Sequence, residues 1–284
     1  MGIRFFGQYL LQKGKITREQ LLEAVDMQNK INLPLGSIAV DKGLLTSEEV
    51  KRIHNEQKRQ DKKFGEIALQ FGYLTEKQLE NLLKEQKESR IYLGEALVQC
   101  GHLTSEELEE ELSAFKREQE REEEEIKKLL SEVKDREVIE TFIDLTIKMF
   151  LRFARITVKI GGCIPYAESI IVKDYTIEQM AKGDYNVSYI INLPENILLH
   201  IASSMYKKEI KEVTKDILDA TKEFINITTG NSCAKLSTMD INLETYPPTI
   251  YNNKSGPGFK IEEKKKITLI PLLSPVGDFD LIFA

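Results

Sequence analysis

The sequence contains no tryptophan and only three cysteines and three histidines. Cys100, Cys163 and Cys233 are odd in number and far apart. That pattern excludes a disulfide framework and a cysteine zinc site, and reduced thiols in a cytoplasmic protein are expected. His54, His102 and His200 fall at no metal-ligand spacing, so no intrinsic metal is expected. No apolar run approaches the roughly 18–20 residues of a membrane span, so no membrane insertion is expected. Met1 to Phe6 is apolar apart from Arg4, but Gln8, Gln12, Lys13 and Lys15 follow at once, which is not the continuous apolar core of a secretory signal. The net charge of −6 is mild and argues against a nucleic-acid partner. What remains is an ordinary balance, 41% hydrophobic and 30% charged, over 284 residues, enough for two domains.

The first part of the chain is a repeat. Phe6-Gly7, Leu35-Gly36, Phe64-Gly65 and Leu93-Gly94 recur at intervals of 29 residues. A second glycine follows in each unit (Gly14, Gly43, Gly72, Gly101), then a threonine (Thr17, Thr46, Thr75, Thr104), then Gln20, Glu49, Gln78 or Glu107. The second glycine suits the left-handed residue that ends a helix. The threonine caps the next helix, and the Gln or Glu three places on completes a capping box. Apolar residues at helical spacing, such as Leu79, Leu82 and Leu83, follow. Each unit is expected to be a short helix, a tight turn and a longer helix, and neighbouring units must stack to bury their apolar faces.

Residues 4–115 resemble the MshEN domain found at the N-terminus of type II secretion and type IV pilus assembly ATPases. The resemblance implies a site for cyclic di-GMP, for which the matching positions are Arg4, Gly7, Gln28, Gly36, Gln57, Lys63, Gly65 and Gln86. The closing glutamine is present as Gln28, Gln57 and Gln86, with Phe115 in the fourth unit. The leading arginine is replaced by Phe5, Pro34, Lys63 and Tyr92, with Arg4 one residue away. A lysine lacks the bidentate fork of a guanidinium. Two readings stay open: a cyclic di-GMP site, and a helical interaction module without nucleotide.

Lys116 to Arg136 is nearly all charge, without glycine or proline. Glu123 and Lys127, and Glu124 and Lys128, stand one turn apart. A solvated helical spacer over 116–137 is expected. From 138 to 284 helical and β-rich stretches mix without a strict βαβ rhythm, so an α+β domain is expected. Helices are read over Val138–Arg155, Pro194–Tyr206 and Glu212–Met239. Strands are read over Ile156–Ile160, Ser169–Val172, Val187–Leu193, Asn242–Tyr246, Lys266–Leu273 and Asp278–Phe283. Gly161-Gly162 is read as a turn, Lys254–Gly258 as a loop and Lys264-Lys265-Lys266 as charged edge protection.

The informative segment is the long helix around Asp219, Glu223, Asn226, Gly230 and Asn231. Glu223 and Asn226 stand three apart and so share one helical face. Gly230 in mid-helix costs about 1 kcal/mol against alanine and suggests close packing of another backbone. A Glu-x-x-Asn pair by itself is common on exposed helices. Those five residues in that order, with Pro247-Pro248 beyond, resemble the signature helix of the bacterial CheX/CheC/FliY phosphatases. Only one copy is present, because Glu195 and Asn196 are adjacent, which favours the CheX-like branch. The whole would be multi-domain: an all-α repeat domain (1–115), a charged linker (116–137) and an α+β CheX-like domain (138–284).

That resemblance implies dephosphorylation of a CheY-like response-regulator receiver domain. The partner supplies the phosphoaspartate, the Mg²⁺ and a lysine. Asn226 orients the attacking water and Glu223 docks on the partner's lysine. A homodimer is also implied, since CheX-type members are commonly dimeric. Against this stands a non-catalytic reading, a cyclic di-GMP receptor or signalling scaffold.

Overall fold

The structure is a computed structural model. It describes every residue except 1–4, 58, 61, 256–257 and 262–265. Arg4, and the readings placed on Gly256-Pro257 and Lys264-Lys265, therefore lie outside the described residues. The chain divides into two compact units, Phe6–Lys116 and a second built on Arg117–Ala284.

The first unit is helical: α1 Phe6–Gln12, α2 Arg18–Ile31, α3 Leu35–Asp41, α4 Ser47–Gln57, α5 Phe64–Gln70, α6 Glu76–Ser89, α7 Leu93–Gln99, and the start of α8, Ser105–Ser131. The sequence signals act as their chemistry requires. Gly14, Gly43, Gly72 and Gly101 all have φ between +67° and +75°, the left-handed region that a side chain disfavours. Thr17 and Thr75 each close a full capping box with Gln20 and Gln78. The leading glycines answer to packing instead. A Cβ on Gly7, Gly36, Gly65 or Gly94 would lie within about 3.1 Å of Leu21, Val50, Leu79 or Leu108, the apolar residue fourteen places on.

Two separate cores form inside this unit. One joins Tyr9, Leu10, Ile16 and Ala24 to Ala96, Leu97, Leu103 and Phe115. The other joins Ile38, Ala39, Leu45 and Ile53 to Ile67, Ala68, Leu74 and Leu82. The first sequence repeat thus packs with the fourth, and the second with the third.

The second unit is an antiparallel sheet with helices on one face. Its elements are α9 Arg136–Met149, a π-helical turn Phe150–Ala154, β1 Lys159–Ile160, β2 Ile164–Ala167, β3 Tyr175–Gly183, β4 Asn186–Leu193, α10 Glu195–Tyr206, α11 Lys215–Ser237, β5 Leu243–Thr245, β6 Thr249–Asn252, β7 Ile267–Leu273 and β8 Phe279–Phe283. The sheet order is β1-β7-β8-β4-β3-β5, with β2 also on β7 and β6 also on β3. The α+β reading of this part holds, and the sheet is antiparallel throughout.

Alternation along the strands separates two apolar layers. Ile177, Ile191 and Leu281 face a large core with Phe142, Phe150, Ile201, Phe224 and Ile225 of the helices. Ile190 and Ile282 face the other way, onto Ala167, Ile267 and Phe259. The core is tightened by aromatic contacts of Phe150, 4.6 Å from Phe279 and 5.0 Å from Phe224 between ring centroids.

Three expectations need correction. The charged stretch is not a solvated spacer: Ile126, Leu130 and Val133 are buried in the core of the second unit. They stand at i, i+4 and i+7, one apolar stripe inside a run of charge. The second unit accordingly begins at Arg117 rather than at 138. Ser169–Val172 is not a strand either. The buried Asn192 amide donates to the Ile171 carbonyl (2.9 Å) and accepts from the Lys173 N–H (2.8 Å), so a side chain takes the place of a ladder partner. The strand lies further on, at Tyr175–Gly183, where Glu178, Gln179 and Lys182 mask the apolar alternation.

Candidate functional site

The site is built on α11. One face of this helix carries Ile217, Phe224, Ile225, Cys233 and Leu236 into the core. The same face carries Thr221, Thr228 and Ser232, fully buried. Their hydroxyls donate to the carbonyls of Ile217, Phe224 and Thr228, four residues back, which satisfies them without a distant partner. The opposite face is in solvent: Asp219, Glu223, Asn226 and Gly230 are all exposed. The sequence-predicted pair therefore points outward from one exposed stripe.

The two members differ in how they are held. Among the described residues Glu223 has no hydrogen-bond or ion-pair partner. Asn226 does have one. Its Oδ1 accepts from Nε2 of Gln179 at 2.9 Å. Gln179 is 1% exposed and lies on β3, under the helix. Asp219 forms an ion pair with Lys222 at 2.8 Å, and the hydrogen bond from that lysine holds the carboxyl below its ordinary pKa. Asn231 donates to the Ile227 carbonyl at 2.8 Å and so serves its own helix.

Gly230 overturns its expectation. A Cβ built there meets no atom within 4 Å, so among the described residues no other segment packs its backbone against it. The space above it is open, one turn beyond Asn226. The pair Glu195 and Asn196 on α10 is spent internally. Glu195 meets Lys254 at 2.7 Å, and Asn196 Nδ2 donates to the Val276 carbonyl at 2.5 Å.

Of the described positions matched to cyclic di-GMP, the three glutamines are engaged within the first unit. Gly7, Gly36 and Gly65 are buried, and Lys63 is exposed. Nε2 of Gln28 donates to the Ile91 carbonyl (3.1 Å), of Gln57 to Lys62 (3.1 Å) and of Gln86 to Leu33 (3.0 Å). Each acceptor stands three residues before the leading glycine of a repeat: first to fourth, second to third, third to second. The glutamines thus stitch together the same pairs of repeats that share a core. In the fourth unit Phe115 instead sets its ring, tilted, 5.2 Å between centroids from both Phe6 and Tyr9.

Spacing along the chain missed one cluster in the first unit. Glu23, Cys100 and His102 have ligand atoms within 4.8 Å of one another, and His102 Nε2 lies 2.8 Å from Glu23 Oε2. The packing of α2 against α7 creates it. Spacing also missed Gln179, whose only trace is a polar residue in the inward alternation Tyr175, Ile177, Gln179, Ala181.

The comparisons with known proteins bear on the second unit. Residues 176–271 match the family Chemotaxis phosphatase CheX. Gln179, Glu223 and Asn226 all fall inside this CheX match. Solved structures to which the chain shows similarity include chemotaxis protein CheX from Desulfovibrio desulfuricans, at 21% identity and a TM-score of 0.46, covering 52% of this chain and 98% of that one. CheX from Vibrio vulnificus is 18% identical, with a TM-score of 0.47 and coverage of 52% and 98%. CheX from Borrelia burgdorferi, solved as a CheX-CheY-BeF₃-Mg²⁺ complex, is 18% identical, with a TM-score of 0.41 and coverage of 51% and 96%. No curated protein matches the chain. No helix among the described residues is long and apolar enough to cross a membrane.

Proposed function

We propose that the second unit hydrolyses the acyl phosphate of a CheY-like receiver domain, with Asn226 orienting the water and Glu223 docking on the partner's lysine. The observation that carries this is the outward stripe of α11: a free carboxylate and a held amide, one turn apart, within the segment that matches CheX. Phosphoryl transfer needs positioning and charge stabilisation more than covalent chemistry from the protein. An exposed helix can enter a partner's pocket, and a buried one cannot. The partner brings the phosphoaspartate and its Mg²⁺; this chain brings the amide. An amide both donates and accepts hydrogen bonds and so can fix a water in line with phosphorus. Glu223, unpaired among the described residues, is available to a cationic partner group at no cost in a broken ion pair.

The test is direct. A receiver domain charged with acetyl phosphate is mixed with the full chain, and phosphate release is followed. Wild type should exceed the spontaneous rate, and Asn226→Ala should lose on the order of 10²-fold, the penalty for a misplaced reacting group. Equal rates for wild type, variant and receiver alone would remove the enzyme reading. The helical repeats we read as a regulatory or localising module. Their three glutamine amides are occupied by backbone carbonyls, which favours an interaction module over a cyclic di-GMP site. Calorimetric titration of cyclic di-GMP into the full chain should accordingly give no heat; saturable heat would reverse that reading.

A further inference from the structure

Gln179 stands in the core stripe of β3, between Ile177 and Ala181, where an apolar residue belongs. A buried amide is costly unless each of its polar atoms is paired. Here all are. Nε2 donates to the Tyr246 carbonyl at 2.8 Å and to Asn226 Oδ1 at 2.9 Å. Oε1 accepts from the Thr229 hydroxyl at 2.7 Å. The Tyr246 peptide is itself pinned, its N–H donating to the Met180 carbonyl of β3 at 2.9 Å.

This chain of bonds has one polarity. A backbone carbonyl only accepts, so the Gln179 group facing Tyr246 must be the NH₂. That NH₂ has a second hydrogen, which points at Asn226, so the Asn226 atom facing it must be the oxygen. The Asn226 NH₂ is then left facing solvent, together with the second lone pair of Oδ1. An exposed asparagine ordinarily samples several rotamers and both amide orientations. Asn226 is held in one.

We propose that Gln179 is the positioning residue of the site: it sets the rotamer and the amide orientation of Asn226 before any partner binds, and so presents the NH₂ outward toward the water. The proposal rests on the phosphatase reading above. Its physical content is preorganisation, since a group already in place needs no ordering in the transition state. Gln179 never touches the partner and acts only through Asn226.

The experiment compares wild type, Gln179→Met, Asn226→Ala and the double variant on the charged receiver domain. Methionine keeps the length and removes the bonds. The expected result is a kcat for Gln179→Met lowered by roughly tenfold or more. KM, and affinity for the beryllofluoride-charged receiver, should stay within about twofold, since docking does not use Gln179. In the Asn226→Ala background the same change should cost nothing further. Thr229→Val, which removes the donor to Gln179 Oε1, should lower kcat in the same direction and serves if the methionine variant does not fold. A kcat within twofold of wild type overturns the proposal. So does a loss that follows KM, or one that persists in the Asn226→Ala background. If wild type itself gives no turnover, the phosphatase reading fails separately. Gln179 is then judged by NMR: the side-chain amide signals of Asn226, assigned by their loss in Asn226→Ala, should move to free-asparagine positions in Gln179→Met. Unmoved signals overturn the positioning role as well.

Discussion

Gly230 occupies a solvent-facing position of α11 with open space where a side chain would be. Helix propensity alone then governs a substitution there. Gly230→Ala should stabilise the second unit by about 0.5–1 kcal/mol, read as a higher urea midpoint at an unchanged slope. A destabilised variant would mean that the glycine answers to a conformational demand of the helix itself. The spacing of Glu223 and Asn226 was legible because a helix converts sequence offset into direction. Gln179 was not, since its partners Asn226 and Tyr246 are brought to it by the packing of α11 and the strand that follows. The buried thiols belong to this scale too. Burial pushes Cys163 and Cys233 up to about 11, so neither should react with iodoacetamide at pH 8 while the chain is folded. Rapid labelling of either in the native protein would contradict their burial.

At the scale of elements, the repeats draw their order from pairs. Within the first unit, Glu111 on α8 is a buried carboxylate that accepts from Tyr9 at 3.0 Å and meets Lys15 at 2.8 Å. The hydrogen bond from Lys15 is the main reason its pKa lies below the ordinary value of 4.5. A depressed folded pKa means that the unfolded chain takes up a proton first as pH falls. The contribution is therefore complete above the ordinary carboxylate range and is lost as pH drops through the folded value. Thermal unfolding between pH 6 and pH 3 should show a steeper loss for wild type than for Glu111→Gln. Parallel curves would mean that the contact adds nothing. Lys15 is raised by the same bond, so its share fades only at the alkaline end. The capping boxes and left-handed glycines were readable from the chain because each is satisfied within a few residues. The pairing of first with fourth and second with third was not, because all four repeats carry nearly the same signals.

For the molecule as a whole, the division falls within α8, a single helix by hydrogen bonding that changes its allegiance at Lys116. A chain starting at Arg117 keeps Ile126, Leu130 and Val133, which are 6–7% exposed. One starting at Val138 loses them. Fully burying such a side chain is worth about 1.5–3 kcal/mol, so residues 117–284 should fold alone while 138–284 should be several kcal/mol less stable or unfolded. Circular dichroism melts of the two fragments decide this. Equal stability would return the charged stretch to the role of a spacer.

Local chemistry is what the sequence by itself determined: four capped helical units, an α+β second part, and a carboxylate and an amide on one helix face. These follow from offsets of a few residues, over which backbone geometry leaves little choice. The tertiary structure alone decided which repeats pair, where the second unit begins, that Gly230 faces open space, and that Gln179 holds Asn226. Each of those depends on contacts between segments far apart in the chain. Their geometry exists only once apolar stripes have been buried against one another.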